Sequence, residues 1–222
     1  MVQAFGFVAI SAALVLFVNR FTSSVQNAPL AQVYGFSRCE TRFMAMGLFG
    51  GLIVGIFPGW LVEQVKRGMP ELDLGTIDLI NQLFEQASGA EYVALVLTLV
   101  LVAPLTEEVV FRGFMWHSCK RFATSPIVWI LTTLLFSLYH MSLVQSLALL
   151  VTGGFIGWLR WTSGSIWPAI AAHFTNNLFA TIAVISGAAT GAASIPGWSA
   201  CLTGLFTLGL CAYAWHTRVS EH

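Results

Sequence analysis

Three ionisable side chains stand inside one apolar run, in Thr106-Glu107-Glu108-Val109-Val110-Phe111-Arg112-Gly113. A charged group at the centre of a membrane helix costs about 3 kcal/mol on insertion scales, so three together need either a compensating arrangement or a task. Part of the compensation is local. Glu108 and Arg112 are four residues apart, which puts carboxylate and guanidinium on one helix face, able to pair. Glu107 is turned about 100° from that face and must meet a different partner. A carboxylate held among apolar side chains is by default a candidate for function, with a purely structural role as its alternative. For Glu108 and Arg112 the alternative is an ion pair that only fixes packing.

Two further polar placements supply candidate partners. His140 closes the segment Phe136-Ser137-Leu138-Tyr139-His140, with Phe136 one turn before it, and His173 and Asn177 are one turn apart in His173-Phe174-Thr175-Asn176-Asn177. A lone histidine in an apolar helix is usually a hydrogen-bonded core residue, but depth argues otherwise here. At about 1.5 Å per residue, Glu107 lies roughly 18 Å from Cys119, His140 roughly 21 Å from Pro126 and His173 roughly 12 Å from Ser165. Polar groups on three segments therefore reach similar depths.

The elements that must position them are membrane helices. The 222 residues are 57% hydrophobic and 9% charged, too little polar surface to wrap a soluble core of this size. Ten Lys and Arg balance ten Asp and Glu, so no basic field argues for nucleic acid. Seven stretches approach the roughly 20 apolar residues that a span requires. They are Val2 to Val18, Phe43 to Val62, Tyr92 to Cys119, Pro126 to His140, Leu143 to Trp161, Ile166 to Ser186 and Trp198 to Trp215. The fourth is short, and the third carries Pro104 in its middle, which predicts a kink or a break there. The expected fold is all-α, a polytopic bundle of about seven spans with its cavity inside the membrane. It forms one integral membrane domain over 1–222, with a motif-bearing core at about 92–184.

Loop charges orient the chain. With the N-terminus outside, Arg20, Arg38, Arg42, Lys120, Arg121, Arg160 and Arg218 fall on the cytoplasmic side, against Lys66 and Arg67 outside, and the C-terminus is cytoplasmic. The loop after the second stretch is acidic, with Glu63, Glu71, Asp73, Asp78, Glu85 and Glu91. Ile77, Ile80, Phe84 and Ala87 recur within it at helical spacing, predicting an amphipathic helix. Cys39, Cys119, Cys201 and Cys211 are far apart with no CxxC pairing and are expected to be reduced packing residues.

Glu-Glu-x-x-x-Arg at Glu107, Glu108 and Arg112, then Phe-x-x-x-His at Phe136 and His140, then His-x-x-x-Asn at His173 and Asn177, resembles the three-motif signature of the CAAX protease and bacteriocin-processing family. That family includes the Ras-converting CAAX endopeptidases and the bacterial Abi proteins. The resemblance runs from about Leu97 to Phe179. It implies an intramembrane endopeptidase in which Glu107 and His140 activate a water, His173 and Asn177 stabilise the oxyanion, and Glu108 and Arg112 hold the helix and orient the first glutamate. No cofactor is expected. The competing account is a zinc site using Glu107, His140 and His173, although no His-Glu-x-x-His helix is present.

The expected partners are the lipid bilayer and a membrane-embedded or membrane-adjacent peptide substrate, in what is expected to be a bacterial inner (plasma) membrane. Prenylated CAAX tails, propeptides and C-terminal sorting tails all fit. A rhomboid-like site is disfavoured because Ser163-Gly164-Ser165 lacks a leading glycine, and a presenilin-like site because none of the seven stretches contains an aspartate. Two other classes stay open: a small proton-coupled transporter, and a non-catalytic immunity or scaffold protein.

Overall fold

A chain that leaves water for lipid must satisfy its backbone internally, and helices are the simplest solution. The computed structural model describes residues 20, 30–72, 74–186 and 195–218, and every regular element among them is helical. In order they are α1 (Leu30–Tyr34), α2 (Thr41–Val54), α3 (Ile56–Gly68), α4 (Thr76–Gln86), α5 (Gly89–Lys120, continuous but changing its internal register), α6 (Ser125–Leu138), α7 (Leu143–Ser163), α8 (Trp167–Ile185) and α9 (Gly197–His216). The protein is an all-α polytopic membrane bundle.

Among the described residues, five helical segments are long and apolar enough to span: α2 with α3, α5, α7, α8 and α9. The α6 helix is apolar but has only 14 residues, about 21 Å of rise. It accounts for the short fourth stretch, and it stops at Leu138, so His140 lies in the turn beyond it. The first stretch, Val2 to Val18, lies outside the described residues, as does Asp73 of the acidic loop. The stretch Phe43 to Val62 extends to Gly68, with α2 and α3 meeting at Gly55. All four cysteines are free thiols.

The most extensive helix pairing is α2 against α8, and its cause is legible in side-chain size. Gly47, Gly51 and Gly55, each four apart, meet Pro168, Ala172 and Asn176, also each four apart. A Cβ on those glycines would stand 2.5 Å from the Pro168 carbonyl oxygen, 2.2 Å from the Ala172 carbonyl oxygen and 2.4 Å from Asn176 Oδ1. Small residues let the two backbones touch, which in lipid replaces the missing hydrophobic drive. This seam fixes α8, and with it His173 and Asn177. The neighbouring core gathers Phe43, Met46, Phe155, Ile156 and Leu159, so α7 runs through the centre of the bundle.

Hydrogen bonds between loops sort the helix ends into two groups. Arg42 at the start of α2 reaches the Thr217 carbonyl after α9 (2.9 Å), while Ser37 and Ser165 cross-bond the segment before α2 to the α7–α8 turn. At the opposite end, Glu63 of α3 accepts from the Ile195 amide before α9 (3.2 Å). The amphipathic helix expected from Ile77, Ile80 and Phe84 is present as α4, with these side chains half-buried and Ala87 just past its end. Asp78 accepts from the Leu74 amide ahead of it, and Phe84 meets Tyr92 of α5 edge-on at 5.3 Å.

Candidate active site

Pro104 does not break α5. The helix instead widens into π-helical register twice, at Thr98–Val102 and Val109–Met115, on either side of an α-helical turn, Ala103–Glu108, that ends in the two glutamates. In the first wide turn the Ala103 amide bonds the Thr98 carbonyl, five residues back. Leu99 is then left without its α partner, and its π partner would be Pro104, which has no N–H. Asn177 Nδ2 of α8 donates to that carbonyl at 2.9 Å. In the second wide turn the Trp116 amide is shared between the carbonyls of Gly113 and Phe111, passing over that of Arg112, which accepts from Arg160 Nε of α7 at 3.0 Å. Each widened turn is thus bonded by a side chain from another helix, as buried carbonyls require.

Inside these turns lies a buried cluster. Arg112 Nη1 donates to Glu108 Oε1 at 2.9 Å, with both side chains fully buried, so the pairing expected from their spacing is present. Arg112 Nη2 donates to the Gly153 carbonyl at 2.9 Å, and the guanidinium lies 4.3 Å from the Phe136 ring centre. Gly153 is needed at that contact, since a Cβ there would stand 2.8 Å from the Phe136 ring. The same Glu108 Oε1 lies 2.8 Å from His173 Nδ1, across 65 residues of sequence.

That bond settles the imidazole's tautomer. A carboxylate paired to arginine only accepts, so His173 Nδ1 carries the hydrogen. His173 Nε2 then faces Glu107 Oε2 at 3.8 Å, slightly beyond hydrogen-bond distance. It offers a lone pair when the ring is neutral and a donor when the ring is protonated. Glu107 thus meets its separate partner in α8. The two glutamates thus flank one imidazole, Glu108 bonded at Nδ1 and Glu107 facing Nε2.

His140 is oriented by similar logic. Its Nδ1 lies 3.0 Å from the Phe136 carbonyl, which only accepts, so Nδ1 carries a hydrogen and Nε2 of the neutral ring keeps its lone pair. The turn beyond it holds Met141 at φ 57°, a left-handed conformation uncommon for a side chain of this size. Phe136 is the hub. Its ring meets Phe111 at 5.4 Å, His140 at 5.3 Å and His173 at 5.5 Å, and all three polar motifs converge on it. In the sequence it stood only as a spacing marker.

Arg160, counted from sequence among the cytoplasmic loop charges, is instead buried in the last turn of α7. The only hint in the sequence is its position four residues before Gly164, still inside the helix. For the zinc alternative, no group of three His, Cys, Asp or Glu side chains converges as a ligand set among the described residues.

Residues 89–179 match the family model described as type II CAAX prenyl endopeptidase Rce1-like. The chain carries an Rce1-like domain. This segment holds every member of the three motifs and also Arg160, while α1 to α4 and α9 lie outside it. No curated protein and no solved structure matches the chain. The Rce1-like domain supports a CAAX-type intramembrane protease in general terms, in agreement with the family that the motifs resemble.

Proposed function

We propose that the protein is an intramembrane endopeptidase that hydrolyses a peptide bond in a membrane-associated or lipidated substrate, without a metal. The observation that carries this reading is Glu107 facing His173 Nε2 inside a buried cluster that also holds Glu108 and Arg112. Glu107 takes a proton from water as the oxygen attacks the scissile carbonyl, with His140 Nε2 as a second acceptor beside the Phe136 ring. The oxyanion is held by His173 Nε2–H and by the second amide hydrogen of Asn177, the first being given to Leu99. The proton on Glu107 then passes to the leaving amine. The Rce1-like domain makes a prenylated tail ending in Cys-aliphatic-aliphatic-Xaa the first substrate to try, and propeptides and C-terminal sorting tails the next.

Purified protein in liposomes is expected to cleave an internally quenched peptide bearing a farnesylated tail of that kind, or one of the other two tails. Activity is expected to survive prolonged chelation and buffer exchange. Loss that only added zinc restores would replace the carboxylate mechanism with a metallopeptidase one. Proton-coupled solute flux with no cleavage of any of the three peptide classes would make the protein a carrier.

The end carrying Arg38, Arg42, Lys120, Arg121 and Arg218 is assigned to the cytoplasm, because basic loops resist translocation. Hydrogen bonds from Arg42 to the Thr217 carbonyl and from Ser165 to the Ser37 carbonyl join the start of α2, the α7–α8 turn and the end of α9 at this one end. A reporter fused after Arg218 is expected to read as cytoplasmic, and an external reading would invert the topology.

A further inference from the structure

Arg160 belongs to no motif, yet three elements converge on it. Its Nε donates to the backbone carbonyl of Arg112, whose ordinary helical donor, the Trp116 amide, is instead shared between the carbonyls of Gly113 and Phe111. Its guanidinium lies 5.3 Å from the ring centre of Trp116, one turn further along α5. The chain after α1 passes directly over it at Gly35, in left-handed backbone (φ +71°). A Cβ at Gly35 would stand 2.7 Å from Arg160 Nη2, so the crossing needs glycine. Gly35 is held in turn by its own carbonyl, which accepts from the Ile166 amide at 2.9 Å. Next to it, Tyr34 packs so closely on Gly113 that a Cβ there would be 2.8 Å from the ring. The second π turn is therefore clasped between α7 and α1.

Arg112 is the residue through which this clasp can be felt by the chemistry. Its backbone is held by Arg160, and its side chain holds Glu108, which holds His173 Nδ1, which presents Nε2 to Glu107. We propose that Arg160 is a positioning residue that acts through the Arg112 carbonyl. Its Nε–H keeps the second π turn in register, so that Glu108 and His173 stand where Glu107 can use them. The inference rests on the peptidase reading for its kinetic consequence, though not for its structural one. The competing explanation is that Arg160 only carries a charge toward the membrane surface along an apolar stem.

Substitution separates the two, because glutamine places an amide N–H close to where arginine has Nε but carries no charge. Lysine keeps the charge and moves the donor further out, and methionine has neither. The proposal expects Arg160→Gln to keep turnover within about twofold of wild type. Arg160→Met and Arg160→Lys are expected to lose turnover about 10- to 100-fold with little change in KM, the range for a misplacement near 1 Å. A second readout needs no substrate. A hydrophobic carbodiimide, followed by mass spectrometry, is expected to label Glu107 but not the doubly bonded Glu108 in wild type and Arg160→Gln, and to label Glu108 as well in Arg160→Met and Arg160→Lys. Arg160→Lys matching wild type while Arg160→Gln fails would show that only charge matters. Wild-type labelling and melting temperature in both Arg160→Met and Arg160→Lys would overturn the proposal. If the protein cleaves no peptide, the labelling pattern alone decides this inference, and the failure belongs to the peptidase reading.

Discussion

Glu107→Gln is expected to abolish hydrolysis of a verified substrate and to leave the detergent-solubilised protein as thermally stable as wild type. The side chains are nearly the same shape, but an amide cannot take the proton that the attacking water must lose, and general-base groups contribute about 10²- to 10⁴-fold. Stability is expected to hold because Glu107 makes no short ion pair with its partner: His173 Nε2 is 3.8 Å away, while the other nitrogen of that ring is anchored by Glu108. Turnover numbers and a thermal melt of the same preparation test both halves. Full activity in Glu107→Gln would end the mechanism proposed here, and an equal fall in stability would recast Glu107 as a structural residue.

Glu108→Ala and Arg112→Ala are expected to behave in the opposite way, losing stability along with activity. Breaking a buried pair by removing one partner costs about 3 to 5 kcal/mol, because the charge that remains has lost its counter-charge inside a low-dielectric region. Glu108 holds both Arg112 Nη1 and His173 Nδ1 on one oxygen, so its loss leaves two groups without their acceptor. Arg112 also serves the Gly153 carbonyl and the Phe136 ring, so its loss loosens α5 from α6 and α7. Glu108→Gln keeps an acceptor oxygen and should fall between wild type and Glu108→Ala. Denaturation in mild detergent checks the order. A cost below about 1 kcal/mol for both alanine variants would place the pair among ion pairs that contribute little.

The sequence shows much of this, for identifiable reasons. Apolar length and a four-residue spacing are local properties, so the spans and the Glu108–Arg112 pair are legible without coordinates. The stripe Gly47, Gly51, Gly55 was equally local and carries a plain signal of helix contact, but it sits outside the polar motifs that draw attention. What could not be read locally is whatever depends on a distant partner. Pro104 predicts a disrupted helix, and whether the disruption appears as a kink or as a widened turn depends on a donor for Leu99, supplied by Asn177 from 78 residues away. The bond from His173 to Glu108 is likewise invisible to spacing, and with it the fact that the first and third motifs share one imidazole. The burial of Arg160 was not legible, because a charge near a helix end looks the same from sequence whether it leaves the bundle or turns into it.

The two widened turns of α5 also change how length behaves in this helix. A π turn holds one residue more than the α turn it replaces. Removing or adding a residue in an ordinary membrane helix rotates everything beyond it by about 100° and exchanges its lipid face for its core face. In α5 the spare residues sit on both sides of the turn Ala103–Glu108, so that the turn ending in the two glutamates is a cassette whose rotation is set independently of the helix ends. A deletion in one wide turn matched by an insertion in the other would turn the glutamates against their neighbours while both ends of α5 kept their place. Insertions and deletions, usually ruinous in a transmembrane segment, thus have two sites here where they act as an adjustment of aim.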